Sequence, residues 1–164
     1  MKKVLAVLAA TAVLGFGAAS LAVADDVAVI VNRSNPVMAM TIVQLRAILL
    51  GAGAKWTGGS TITVVMTPAG QPERSGTLRI VCGMSETDFN LHFIRGWRNA
   101  DGSVNSGSGE HPKVFGTGLQ VRQSVATSPN AVGFIRASQV DDSVKVVMVD
   151  GSSPGQPAYK LKLK

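Results

Sequence analysis

Short apolar runs rich in β-branched residues alternate with runs of helical period along this chain, and that alternation leaves few folds open. "DVAVIVN" (26–32) precedes the helical pattern "MTIVQLRAILLG" (40–51), "TITVVM" (61–66) precedes two further helical stretches, and "GTGLQVRQSVATSP" (116–129) leads straight into "AVGFI" (131–135). Parallel strands need a crossover between them, usually a helix, so this order predicts an α/β domain with a mixed, mostly parallel sheet flanked by helices. Thr41 is a plausible N-cap for a helix with Ile42, Leu45, Ile48 and Leu49 on one face and Gly51 as its stop. Ser75 can cap a short helix carrying Leu78, Ile80 and Val81, and Ser85 a longer one, to about Asn99, that buries Phe89, Phe93 and Trp97. Last come a strand "VKVVMV" (144–149) and the alternating tail "AYKLKLK" (158–164), whose lysines suit an edge strand.

The start of the chain stands apart from this pattern. Lys2 and Lys3 precede an apolar run over 4–23 that closes on Ala22-Val23-Ala24. That is the layout of a secretory signal peptide over 1–24, which leaves one domain at 25–164 and predicts a periplasmic or secreted protein. Cys82 is the only cysteine. It has no partner within the chain and reads as a small buried apolar residue. The net charge of +6 includes Lys2 and Lys3. What remains favours an anionic ligand or an envelope surface, and without a basic run or interleaved aromatics it does not point to nucleic acid.

Catalysis finds little footing. Ser108 lacks the glycine two positions before it that a nucleophile elbow requires, and the phosphate-loop lysine pattern is absent. Glu73, Glu86 and Glu110 sit in sequence surroundings typical of exposed turns or caps. His92 and His111 have no ligands at metal spacing beyond the adjacent Glu110, so neither a metal nor another cofactor is expected. Trp56 and Trp97 read as core residues rather than ligand platforms. The glycine- and serine-rich stretch at 100–112 is a long loop to which the sequence assigns no role.

One motif carries chemistry. Free N–H groups at a helix start attract anions. At "RSGTLR" (74–79), Arg74 would add charge, Ser75 and Thr77 hydroxyl donors, and Gly76 close approach to the backbone. Ser34 and Asn35, in the turn after the first strand, could add donors to the same crevice, because ligands gather beyond the carboxyl ends of parallel strands. The same residues also fit an ordinary serine cap beside a solvated arginine and a turn held by asparagine side chains.

The order of these motifs resembles that of the periplasmic phosphate-binding proteins, the substrate-binding receptors of phosphate uptake transporters. "MTIVQLRAILLGAGAKWTGGSTITVV" is similar to the family's helix, glycine, tryptophan and strand pattern. "SGT" at 75–77, "SPNAVGFI" at 128–135 and the later "VDG" follow in the family's order over roughly 27–161. The resemblance implies a periplasmic-binding-protein-like (type II) single lobe, about half the size of the two-lobed receptors. It further implies phosphate or a similar oxyanion as ligand, held by Arg74, Ser75, Gly76 and Thr77, and an ABC transporter permease or another envelope protein as partner. Thr67 stands where the family's strand-end arginine would fall. A second reading is an envelope interaction module that keeps the lobe and has lost the ligand, pairing through its basic apolar tail.

Overall fold

A computed structural model of the chain describes residues 26–52, 54–95, 97–98, 104–105 and 111–163. The expected signal peptide and most of the 100–112 loop lie outside the described residues, as does the side chain of Trp97. Five strands form the main sheet: β1 (Val27–Asn32), β3 (Thr63–Met66), β6 (Lys113–Val114), β7 (Ala131–Arg136) and β8 (Val144–Val146), in the order β6-β3-β7-β1-β8. β3 pairs in parallel with both β6 and β7, whereas β1 is antiparallel to β7 and to β8. Four strands therefore point one way and β1 points the other, which gives the expected mixed sheet.

The alternation of side chains along the strands divides the interior into two cores. Val27, Val29 and Val31 of β1, Val64 and Met66 of β3, and Val132 and Phe134 of β7 belong to the larger core. Three helices contribute to that core: α1 (Ile42–Leu49), α2 (Pro72–Thr77) with the π-helical turn Leu78–Cys82 that continues it, and α3 (Glu86–Arg95). Ala28, Ile30, Val65, Ala131 and Ile135 face the other way, onto Val121 and Val125 of α4 (Gly118–Thr127). Every residue of β1 is buried, which is why that run reads as apolar without a break.

Local chemistry sets the helix limits. Thr41 and Gln44 form a reciprocal capping box at the start of α1, and Gly51 follows its end at φ 68°, the left-handed conformation glycine adopts at least cost. Thr117 and Gln120 form a second box at α4. Asn32 closes the opposite end of α4 by donating its side-chain amide to the carbonyls of Val125 (3.0 Å) and Ala126 (2.7 Å). The last carbonyls of a helix lack the usual intrahelical donors, and although the Ser128 N–H also reaches the Val125 carbonyl at 3.3 Å, it is Asn32 that ties the end of β1 to the end of α4.

Four expectations need correction. α2 starts at Pro72 after Gln71, and Ser75 lies inside it; proline at the first helical position loses no useful N–H and already holds a helical φ. α3 stops at Arg95 rather than near Asn99, just before Gly96, and Trp97–Arg98 form a short strand, β4, paired with β5 (Val104–Asn105). The 144–149 run divides: β8 joins the main sheet, while β9 (Met148–Val149) pairs in parallel with β2 (Ala39–Met40). The tail does not form a free edge strand. It makes one bridge, Lys162 to Asp26, with Tyr159 and Leu161 buried and the Tyr159 hydroxyl donating to the Val27 carbonyl at 2.7 Å.

Candidate functional site

β3, β6 and β7 all end on one side of the sheet, and the chain leaves β3 there through Thr67 and Pro68 into α2. Arg74, one turn into the helix, is 6% exposed, so its guanidinium must find partners inside the protein. Its Nε lies 2.9 Å from Oε2 of Glu86, and its Nη1 donates to the Thr67 carbonyl at 3.2 Å. The guanidinium carbon also stands 5.8 Å from the centre of the Phe89 ring. Ser75 Oγ donates to the other Glu86 oxygen at 3.4 Å. A cation and a hydroxyl from α2 thus converge on one carboxylate from the first residue of α3.

The remaining residues of the motif are placed differently from the sequence expectation. The Ser75 N–H is taken by the Gln71 carbonyl, and those of Gly76 and Thr77 lie inside the helix, so this stretch offers no row of free N–H groups. Thr77 is fully buried, and its hydroxyl donates back to the Glu73 carbonyl at 2.6 Å. Gly76 does permit a close approach, but by the chain's own tail: a Cβ there would stand 2.5 Å from Cδ2 of Leu163.

Ser34 and Asn35 do not share this crevice. β1 runs against its neighbours, so its carboxyl end lies beside the start of β7, with Val31 opposite Val132 and Val27 opposite Arg136. The sheet separates the two loops by about 15–20 Å, the length of a strand of this size. Ser34 donates its hydroxyl to Asn32 Oδ1 at 2.7 Å, and Asn35 Oδ1 accepts from the Val37 N–H at 3.0 Å. These are turn-forming bonds of the kind asparagine makes with its own backbone.

Several residues at this end of the sheet were not picked out by sequence reasoning. Glu73 and Glu86 are not exposed caps. Glu73 is 3% exposed and lies 3.3 Å from Nε of Arg136, while Glu86 pairs with Arg74. The Thr67 hydroxyl is buried and has no hydrogen-bond partner among the described residues. Arg79, one turn beyond Ser75, is exposed on an open groove of about 700 Å³ whose lining also includes Ser75, Gly76, Ser85, Glu86 and Leu163. Carboxylate partners for Arg74 twelve residues away could not be read from local spacing. Arg79 could have been noticed, because it is a second arginine five residues after Arg74 in the same motif.

Trp56 is a core residue as expected, 8% exposed, with its indole N–H donated to the Asn130 carbonyl at 2.9 Å. Cys82 is buried too, and burial pushes its thiol up to about 11, partly offset by the charge of Arg46. Thiolate rather than thiol reacts with alkylating agents. Iodoacetamide labelling at pH 8 is therefore expected to be slow in the native protein and fast in denaturant; equal rates in the two states would contradict this packing.

A Clostridium perfringens protein solved with bound phosphate, and assigned as a phosphate ABC transporter substrate-binding protein, superposes with a TM-score of 0.60 at 27% identity, covering 80% of this chain and 48% of its own. An ABC-type phosphate transport receptor from Vibrio cholerae gives 0.61 at 23% identity over 80% and 49%. PstS from Borrelia burgdorferi gives 0.60 at 13% identity over 85% and 55%. The chain resembles the phosphate ABC transporter substrate-binding proteins. It spans about half the length of these phosphate receptors and shares their α/β fold over that half. No protein-family model matches the chain, and no curated protein matches it in sequence.

Proposed function

We propose that this protein is an exported solute-binding protein that takes phosphate or a similar small oxyanion at Arg74 and Ser75 of α2, in the service of phosphate uptake. The observation that carries the reading is the convergence of the Arg74 guanidinium and the Ser75 hydroxyl on two carboxylate oxygens. Arginine recognises carboxylate and phosphate oxygens with the same charge-assisted geometry, so a site built for one accommodates the other. The Thr67 hydroxyl, buried without a partner among the described residues, is a further donor, and Arg79 supplies charge at the mouth of the groove. Gly76 and Thr77 shape and support the helix rather than contact the ligand. Binding needs no metal and no covalent step, and an ABC transporter permease would receive the ligand.

A second reading, an envelope interaction module without a ligand, draws on Glu86 already balancing Arg74 and on Leu163 lying over Gly76. The basic apolar tail does not serve such a module as a free pairing strand, because Tyr159 and Leu161 are buried.

Thermal unfolding of phosphate-stripped protein, recovered from the periplasm of an expressing host with Asp25 as its first residue, separates the two readings. A ligand at about a hundred times its Kd adds roughly 2.7 kcal/mol, which for a domain of this size raises the midpoint by about 5–15 °C. Phosphate at millimolar concentration is expected to produce such a shift and chloride none. Ser75→Ala should reduce the phosphate shift without lowering the midpoint of the free protein. A midpoint that no oxyanion moves would leave the interaction module as the better account.

A further inference from the structure

Glu86 occupies the place that the proposed ligand would need. Its two carboxylate oxygens accept from Arg74 Nε and from Ser75 Oγ, the same two donors assigned above to an oxyanion. The residue is held there by its position in the fold. It is the first residue of α3, whose start is fixed by Ser85: the Ser85 hydroxyl accepts from the Asp88 N–H at 3.1 Å and donates to Asp88 Oδ2 at 2.7 Å. At the same time the Glu86 side chain keeps 23% of its surface exposed and lines the open groove, so it can leave Arg74 for solvent without disturbing the sheet.

We infer that Glu86 is an intramolecular competitor for the oxyanion, an affinity-setting residue whose carboxylate must be displaced from Arg74 and Ser75 before an external anion can bind. The inference rests on the proposed oxyanion reading of the same site. A carboxylate tethered on an adjacent helix acts at a high effective concentration, well above that of a dissolved anion at micromolar levels. It also repels a second negative charge at close range. The protein as it stands would therefore bind phosphate less tightly than the same site without the carboxylate.

Isothermal titration of inorganic phosphate, with sulfate in parallel, into the phosphate-stripped chain and its Glu86→Gln variant tests this. Glutamine keeps the size of the side chain and removes its charge. The expected result is phosphate binding at least about tenfold tighter in the variant, a gain of 1.4 kcal/mol or more, that disappears when Arg74→Gln is added. Sulfate should gain in the same way, since the competitor acts on charge and oxygen geometry alone. Equal Kd values in wild type and variant would overturn the inference while leaving the oxyanion reading in place. Weaker phosphate binding in the variant would overturn it, because removing a competitor cannot weaken the ligand it competes with. Failure of both proteins to bind either anion would overturn the inference and the reading together. Should Glu86→Gln fail to fold, Glu86→Asp, one methylene shorter and unable to reach both donors, is expected to show the same direction of change.

Discussion

Gly133→Val is expected to lower stability by about 3 kcal/mol, at the upper end for an overpacked core. Gly133 lies in the middle of β7, opposite Ile30 of β1 and Val65 of β3, so it has paired strands on both sides. A Cβ at this position would stand 2.8 Å from Cγ2 of Val125, 3.0 Å from Cγ1 of Val121 and 3.1 Å from Cγ1 of Ile30. All three neighbours are buried and β-branched, so the contacting groups cannot rotate away cheaply. Valine is a better strand former than glycine, but that preference spans only about 1 kcal/mol. α4 would have to move off the sheet, breaking the Asn32 bonds at its carboxyl end. In thermal unfolding the midpoint should fall by on the order of 10 °C or more. A variant as stable as wild type would show that α4 is not packed as closely as described.

The neighbouring residue gives a second large effect on the opposite face of the same strand. Phe134 is 1% exposed and belongs to the larger core, with Val29 across the strand pair. Phe134→Ala removes a ring from the centre of that core and leaves a cavity, which costs about 3–5 kcal/mol. Net stabilities of small domains are about 5–15 kcal/mol, so this change consumes a large part of the total. Urea denaturation should show a much lower midpoint with an unchanged slope. A midpoint within experimental error of wild type would mean that the core collapses around the missing ring. The pair of substitutions also tests the division of the interior, since one change overfills the α4 side and the other empties the side of α1, α2 and α3.

How far the site was legible depended on the range of the interactions involved. Local capping was readable: Thr41 and Ser85 act as the sequence suggests, because a cap satisfies N–H groups only two or three residues away. Ser75 misled for the same kind of reason. Its neighbourhood fits a cap, but Pro72 sets the helix start three residues earlier, and inside the helix its hydroxyl turns to Glu86. The ion pairing of Glu73 and Glu86 was hidden, because their partners Arg136 and Arg74 are brought to them by the sheet and by the turn between α2 and α3. The direction of β1 was hidden as well, and it alone removed Ser34 and Asn35 from the crevice.

By itself the sequence determined the strands β1, β3 and β7, the helices α1 and α4, the cap of α1 at Thr41, and that Trp56 and Cys82 lie inside. Each of these follows from hydrophobic period, side-chain volume or a bond to a near neighbour along the chain. Only the tertiary structure decided that β1 runs against the rest of its sheet, that α4 sits on Gly133, that the tail folds back over Gly76, and that Arg74 meets Glu86. Those outcomes depend on strand direction and on side chains distant in sequence, and a linear pattern holds no record of either.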